Sequence, residues 1–231
     1  MAGISVVIPT LNEEAVIGTT LEALKPQLRQ GDEIIVVDSH SKDRTVEIAR
    51  KFGCRIVFLP RCGIGRAKNE GAKKSKNQIV AMLDADGAPA AGWLARVRNH
   101  FENGAVAVVG LGLYQGGRLH YNGFARLVFL VGRLSYFFLG MPWLPANNSA
   151  IRKERFLKKG GYPNVVCEDI AFGRRAKGLD GVVYDADVQV ILSTRRFEKD
   201  GFAKTVLAWL WSDFRALTGR GISSLDYKPV R

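Results

Sequence analysis

Two aspartates, Asp84 and Asp86, stand one residue apart directly after the apolar run at 79–83. Carboxylates at this spacing at a strand end can share a hard divalent cation, which would also take diphosphate oxygens. Such a cation would act as a Lewis acid and stabilise a departing diphosphate. The pattern alone is weak, because two solvated aspartates in a loop are the commoner outcome. It predicts a metal site at Asp84 and Asp86 only in combination with other phosphate-binding residues.

Three further acidic residues could join the same chemistry. Asp38 follows a second apolar run, at 34–37, and could accept hydrogen bonds from a nucleobase edge or simply cap a turn. Glu168 and Asp169 precede apolar residues in a predicted helix. A carboxylate in a partly buried site can serve as a general base, because burial moves its pKa towards the working range. The competing interpretation is that both acids only match the positive end of the helix dipole.

Two basic pairs are candidates for binding a diphosphate. Arg195 and Arg196 are adjacent, and guanidinium groups bind phosphate oxygens through paired hydrogen bonds. Arg66 and Lys68 follow a glycine pair at 63 and 65. That pair is not a dinucleotide-binding fingerprint, because the next glycine, Gly71, comes at the wrong spacing. Both basic pairs could equally be surface charges.

The elements that must position these residues alternate along the first half of the chain. Apolar runs typical of buried strands are separated by helix-like periodicity, which predicts an α/β fold with parallel strands and right-handed crossovers. Thr10, Asp38 and Asp84 each follow a predicted strand. Ligands of such sheets bind beyond the carboxyl ends of the strands, so we expect the three residues to meet there. Predicted strands are 4–8, 34–37, 56–59, 79–83, 105–109 and 182–184; predicted helices are 17–28, 45–52, 65–75, 89–101, 168–177 and 201–217.

Composition narrows the function classes. The chain has 231 residues and a formal net charge of +12, which favours anionic partners. The basic residues are spread along the sequence without a zinc-finger spacing or an arginine-rich tail, so nucleic acid is not the expected partner. Three cysteines without a C-x-x-C pattern predict a reducing compartment. Met1 runs into an apolar segment without a basic flank, so we expect no signal peptide.

In combination, the motifs resemble family 2 glycosyltransferases in order and spacing. They are VVIPTLNEE at 6–14, IVVDSHSKDRT at 35–45, LDAD at 83–86 and GGYPNVVCED at 160–169. The segment NNSAIR at 147–152 resembles the family's strand on the acceptor side, and the resemblance covers about residues 3–200. It implies a GT-A fold, with a Rossmann-like, mostly parallel central sheet flanked by helices and a less regular acceptor-side C-terminal half.

The resemblance also implies an activity. It predicts an inverting transfer of sugar from a UDP- or GDP-sugar, assisted by a divalent metal ion, Mn²⁺ or Mg²⁺. The implied roles are, in order along the chain: Pro9, Thr10, Asn12 and Glu13 lining the nucleoside pocket, Asp38 on the base, Asp84 beside the metal on the ribose or a metal-bound water, Asp86 as main metal ligand, Asp169 as catalytic base and Arg196 in a mobile segment over the diphosphate. From their residue types and positions, we also expect Arg66 and Glu168 to bind the nucleotide sugar.

Two departures from the family's pattern stand out. The segment STRRF at 193–197 replaces the Q-x-x-R-W motif of the processive synthases, which favours transfer of a single sugar. His40 stands in a stretch that is usually rich in glycine or serine, and we have no functional interpretation of it. We expect one domain over 1–231, with a nucleotide-sugar-binding half at about 1–110, an acceptor-side half at about 111–200 and an amphipathic helix at about 201–217.

Two segments, 124–139 and 202–217, are both apolar and basic. Aromatic residues with cations are typical of a helix lying in a membrane interface, and equally of a core helix with a charged outer edge. The core interpretation is slightly favoured for the second segment. For the first, the density of aromatic residues predicts peripheral contact with the cytoplasmic membrane face and a lipid-linked acceptor.

Two alternatives come from other classes. One is a non-catalytic module that binds a nucleotide sugar or a membrane surface, whose expected mark would be loss of the Asp84–Asp86 or Glu168–Asp169 pair; both are intact. The other is a sugar-phosphate nucleotidyltransferase. Those enzymes carry a glycine-rich, arginine-containing loop after the first strand, where this chain has Pro9 and Thr10.

Overall fold

The computed structural model of the chain describes residues 3–218, so the ends of the domain predicted over 1–231 lie outside it. Within residues 3–218, eight strands form one sheet in the order β3-β2-β1-β4-β7-β6-β8-β5. The strands are β1 Ile4–Thr10, β2 Glu33–Asp38, β3 Arg55–Phe58, β4 Ile79–Leu83, β5 Gly87–Pro89, β6 Ala107–Tyr114, β7 Asn148–Arg152 and β8 Val182–Leu192.

The first four sequential strands form the parallel part of the sheet and agree closely with the predicted ones. β1 pairs with both β2 and β4, and its register places Thr10 opposite Asp38. The first strand was predicted at 4–8, yet β1 continues through Pro9 to Thr10. Pairing with β4 extends only from Ile4 to Val7, so the missing N–H of Pro9 costs no ladder bond on that side.

The second half of the sheet is mixed. β7 lies antiparallel between β4 and β6, and β8 runs parallel to β6 but antiparallel to the short β5. The helix predicted from Pro89 is wrong at its start, because residues 87–89 pair with β8 instead. β8 was expected at 182–184 but has 11 residues. Its pairing with β6 is interrupted by a bulge between Gly110 and Leu111.

Helices cover both faces of the sheet. The helices are α1 Ile17–Leu24, α2 Thr45–Lys51, α3 Ile64–Lys74, α4 Trp93–Glu102, α5 Leu119–Leu139, α6 Lys153–Lys158, α7 Glu168–Arg175, α8 Arg195–Asp200 and α9 Phe202–Leu217. Apolar side chains of α1, α2 and α4 pack on one face, and those of α3, α6 and α7 on the other. Because both faces are covered, every residue of β1 is buried, which explains why most of the strand is apolar.

α5 and α9 lie on the outside of the molecule and are joined by aromatic contacts. The rings of Tyr121 and Phe202 lie 5.2 Å apart, and those of Phe124 and Trp209 lie 6.3 Å apart. The core-helix interpretation of the last segment is wrong: Thr205 and Ala216 are its buried residues, and most of its large apolar side chains are exposed. In the part of the chain that the structure describes, no helix has the length and apolar character needed to cross a bilayer.

Candidate active site

A cleft at the carboxyl ends of β1, β2 and β4 has three adjoining lobes, and Trp209 lines all of them. The first lobe, of about 320 Å³, is lined by residues including Thr10, Ser39, Cys62 and Glu168. The acidic lobe, of about 270 Å³, is lined by residues including Glu13, Asp84, Asp86, Arg195 and Arg196. The apolar lobe, of about 370 Å³, lies between α5 and α9 and is lined by residues including Phe124, Trp143, Asp169 and Leu210.

The acidic lobe is centred on an ion-pair network from three distant parts of the chain. Nη2 of Arg195 lies 2.9 Å from Oδ2 of Asp86 and 3.3 Å from Oε2 of Glu13. Burial raises the pKa of Glu13 to about 7, against the lowering effect of the Arg195 guanidinium. The negative charges of Asp86 and Asp84 add to that rise.

Asp84 is paired with a buried lysine. Lys68 Nζ, whose side chain is fully buried, donates to Asp84 Oδ1 at 2.6 Å and to the carbonyl of Ala146 at 2.5 Å. Arg66 is exposed on α3 and lines none of the three lobes. Of the predicted pair Arg66 and Lys68, it is therefore Lys68 that lies in the site. Lys68 lies on the same face of α3 as the small buried residues Gly71 and Ala72. This spacing in the sequence already indicates that Lys68 faces the sheet.

The acidic lobe has the donor chemistry that a divalent cation requires. Carboxylate oxygens are the ligands of Mg²⁺ and Mn²⁺, and such sites use one or two carboxylates together with substrate phosphates. Among residues 3–218, no group of three His, Cys, Asp or Glu residues could hold a metal ion by itself. A cation held by Asp84 and Asp86 would therefore need further ligands, which a bound diphosphate could supply.

The loops after β1 and β2 brace each other through side-chain bonds to backbone. Asp38, only 1% exposed, accepts from Thr10 Oγ1 at 3.1 Å and from the backbone N of Ser41 at 2.9 Å. Asn12, in the left-handed region at φ 54°, accepts from the backbone N of Lys42 at 2.7 Å. Asn12 thus links the two loops, and α1 begins at Ile17, the first residue of the predicted helix.

As a result, the predicted nucleoside-binding residues divide into two groups. Pro9, Thr10 and Glu13 line the first lobe, whereas Asp38 and Asn12 do not. The latter two hold the loops that shape its wall. His40, at φ 72°, is an exposed residue of the same loop.

The adjacent acids Glu168 and Asp169 open into different lobes. They begin α7, where Cys167 takes the left-handed conformation at φ 58°. Successive helical residues point about 100° apart, so Glu168 faces the first lobe and Asp169 the apolar lobe. Nε1 of Trp143 donates to Oδ2 of Asp169 at 3.1 Å. Burial raises the pKa of Glu168 to about 7 and also raises that of Asp169, while the Trp143 hydrogen bond opposes the rise at Asp169.

α9 contributes two residues that the sequence analysis did not assign to the site. Trp209 stands where the lobes meet, and Asp213 lines the apolar lobe beside Asp169. Burial raises the pKa of Asp213 to about 6, while a hydrogen bond with Cys167 lowers it. The apolar periodicity of α9 did not indicate which of its residues face the site, because most of its large apolar side chains are exposed to solvent.

The amino-acid sequence is similar to those of known proteins. The profile of "Glycosyl transferase family 2" matches residues 5–176. An uncharacterized glycosyltransferase of Mycobacterium tuberculosis is 32% identical over 206 residues, covering 79% of this chain and 91% of that protein. Glucosyl-3-phosphoglycerate synthase of Petrotoga mobilis is 36% identical over 95 residues, covering 36% of this chain and 29% of that protein.

Solved structures show the same fold. Glucosyl-3-phosphoglycerate synthase from Mycobacterium tuberculosis, in complex with Mn²⁺, UDP and glucosyl-3-phosphoglycerate, superposes with a TM-score of 0.67 at 23% identity, covering 95% of this chain and 80% of that one. S. aureus TarS, in complex with UDP-GlcNAc, has a TM-score of 0.66 at 17% identity, and this chain spans 58% of it.

The sequence and structure comparisons agree. The predicted GT-A fold is confirmed, and so is the prediction of an enzyme. The chain belongs to glycosyl transferase family 2, and it is a glycosyltransferase.

Proposed function

We propose that the protein transfers one sugar from a nucleoside-diphosphate sugar to an acceptor hydroxyl or phosphate, with inversion at the anomeric carbon. The observation that carries the proposal is that the acidic lobe and the carboxylate of Asp169 open into one cleft, with Trp209 at their junction. A single displacement needs a leaving group held on one side of the sugar and an acceptor on the other. The two lobes supply these two sides.

The donor would lie across the first and acidic lobes. Pro9, Thr10 and Ser39 offer a wall for the nucleoside, and Arg196 lines the lobe that would hold the diphosphate. The solved relatives carry UDP and UDP-GlcNAc, which supports a UDP- or GDP-sugar as donor here.

Asp86, with Asp84 beside it, would hold a Mn²⁺ or Mg²⁺ ion. A divalent cation bound there supplies Lewis-acid stabilisation of the negative charge on the departing diphosphate. Lys68 fixes the Asp84 carboxylate by a 2.6 Å contact, which leaves Asp86 as the more adaptable ligand.

Asp169 would act on the acceptor from the apolar lobe. Its carboxylate takes the proton of the acceptor hydroxyl as the oxygen attacks the anomeric carbon and the bond to the diphosphate oxygen breaks. Trp143 holds Oδ2 of Asp169 in place and favours its charged form. An acceptor phosphate would need no proton removal, so the role of Asp169 as base applies to a hydroxyl acceptor.

The substitution Asp169→Asn tests the assignment of the base. We expect sugar transfer to fall by about 10²- to 10⁴-fold, because a general base typically contributes that much. Binding of UDP or GDP with Mn²⁺, measured by thermal shift, should remain. Asp86→Ala is the complementary variant and should lose the metal-dependent binding. Near-normal turnover of Asp169→Asn would show that another group removes the proton.

The outer surfaces of α5 and α9 support a further part of the proposal, that the acceptor is lipid-linked and the enzyme works peripherally on the cytoplasmic face of a membrane. Phe137 is 77% exposed, Phe138 72% and Trp211 58%. Apolar surface of this extent marks an interaction site. The apolar lobe lies between these two helices and contains Asp169, so a chain entering from the surface would bring its polar head to the base.

Charge favours an anionic membrane as the partner of this surface. The sequence contains no acidic residue between Glu102 and Glu154. Arg126 and Arg133 are exposed on α5, and Lys204 is exposed on α9. Basic residues beside exposed aromatic ones are typical of helices that lie in the interface of anionic bilayers.

Flotation with liposomes tests the membrane contact. The protein should migrate with vesicles rich in phosphatidylglycerol at low salt, and less with phosphatidylcholine alone. Replacing Phe137 and Phe138 by serine should abolish flotation and leave UDP binding intact. Phe58→Ser is the matched control, because Phe58 is 60% exposed on the edge strand β3. Equal flotation of both variants, or none of the parent protein, would contradict the proposed surface.

A further inference from the structure

Each carboxylate of the acidic lobe has a protein cation beside it. Lys68 contacts Asp84, and Arg195 contacts both Asp86 and Glu13. Three negative charges close together in a partly buried site would otherwise repel one another strongly. The two side chains therefore neutralise charge that a bound metal ion would also neutralise.

The two cations differ in how readily they can leave. Lys68 is completely buried and makes a second bond to the carbonyl of Ala146. The side chain of Arg195 is 29% exposed, and its Nε is buried without a hydrogen-bond partner among residues 3–218. A buried donor without a partner costs free energy. Arg195 is therefore held less completely than Lys68 and is the cation that can be replaced.

Resting on the proposed metal-assisted transfer, we infer that Arg195 is an internal counter-ion which competes with the divalent cation for Asp86 and passes to the diphosphate when the donor binds. A guanidinium 2.9 Å from Oδ2 and a cation on the same carboxylate place two positive charges side by side, which disfavours their joint occupancy. A guanidinium released into this lobe finds phosphate oxygens as its natural partners.

The movement is confined to the side chain of Arg195. Two residues further on, Phe197 is only 3% exposed, and its ring lies 4.7 Å from that of Tyr114 and 4.6 Å from that of Tyr121. This packing anchors α8 while the first residue of the helix changes partner. Arg195 consequently weakens metal binding to the donor-free enzyme and strengthens binding of the diphosphate, two effects of opposite sign.

The variant Arg195→Met tests these two opposite effects on metal binding and diphosphate binding. Mn²⁺ binding to the nucleotide-free protein, followed by the electron paramagnetic resonance of free Mn²⁺, should become about tenfold tighter, the size of one lost charge-assisted hydrogen bond. Binding of UDP or GDP at saturating Mn²⁺ should become about tenfold weaker for the same reason. Lys199→Met is the matched control, because it removes an exposed positive charge from the same helix. It should change neither affinity.

Melting temperatures give a second readout. Without metal, Arg195→Met should melt below the parent protein because Glu13 and Asp86 are left unpaired, and Mn²⁺ should raise its melting temperature more than it raises that of the parent. Unchanged or weaker Mn²⁺ binding by Arg195→Met would overturn the inference and leave the proposed function intact. Failure of the parent protein to bind Mn²⁺ even with UDP or GDP would overturn both.

Discussion

At the scale of single residues, the chemistry depends on groups whose charge is set by burial. Glu168 and Asp169 are adjacent, buried and influenced by each other's charge, so they titrate as a pair. The pKa of Glu168 lies near 7, and that of Asp169 is also raised. We therefore expect sugar transfer to have an acidic limb that belongs to the pair, with activity falling as the pH decreases through neutrality.

Trp143 provides a residue-scale test of that limb. Its indole N–H bonds to Asp169 and favours the charged carboxylate, so Trp143→Phe should raise the pKa of Asp169 further. The acidic limb of kcat/KM should then move to higher pH, while the rate at high pH stays close to that of the parent. The measurement is a pH profile of both proteins with the same donor. A limb that stays in place or moves to lower pH would show that the hydrogen bond does not tune the base.

At the scale of elements, α3 determines where Lys68 lies, and a close approach to the sheet makes this possible. A Cβ at Gly71 would lie 2.3 Å from Cγ1 of Val7 and 2.9 Å from Cγ2 of Val37. A glycine is therefore required for the helix to lie this close to β1 and β2. The same approach brings the buried Nζ of Lys68, one turn earlier, to Asp84 at the end of β4.

Two glycine-to-alanine substitutions separate packing from helix propensity. In an open helical position the change should stabilise the protein by about 0.5–1 kcal/mol, as expected for Gly18→Ala in α1, where no atom lies within 4 Å of the new Cβ. Gly71→Ala should instead destabilise by about 1–3 kcal/mol, the usual cost of overpacking. Urea unfolding measures both. Stabilisation by Gly71→Ala would mean that α3 can move away from the sheet without cost.

Several elements were predictable for a local reason, and others were not. β1, β2 and β4 are mostly apolar, because helices cover both faces of this part of the sheet. The three-residue β5 has no such pattern and exists only because β8 passes beside it. The end of β8 likewise depends on pairing across the bulge at Gly110, which no local pattern announces.

At the scale of the whole molecule, burial in the cleft disfavours the charged form of several carboxyl groups. Burial raises the pKa of Glu13 and Glu168 to about 7 and that of Asp213 to about 6. A carboxyl group with a higher pKa in the folded than in the unfolded state binds its proton more tightly when folded. Each group therefore lowers the free energy of unfolding as the pH rises from the unfolded value, near 4, through the folded value.

The metal-free protein should consequently be more stable at pH 5.5 than at pH 8. Urea unfolding in the presence of a chelator measures the difference. Glu13→Gln should reduce it, because one of the titrating groups is gone. Glu47→Gln is the control, because the pKa of Glu47 is lowered through its exposed pair with Lys51 and lies outside this window. Equal or greater stability at pH 8 would show that the cleft carboxylates do not carry this charge.

The sequence by itself determined the family, the alternating elements and the strand ends at which Asp38, Asp84 and Asp86 stand, because apolar periodicity and the residues that close a strand are local properties. Only the tertiary structure decided which side chains meet. It places Lys68 rather than Arg66 in the site, and it shows Asp38 hydrogen-bonded within the loop after β2. It also brings Arg195 into contact with Glu13, 182 residues earlier in the sequence. Local sequence patterns do not reveal contacts of this kind, because they join residues that are far apart in the sequence. The packing of α3, α8 and α9 against the sheet determines which side chains meet.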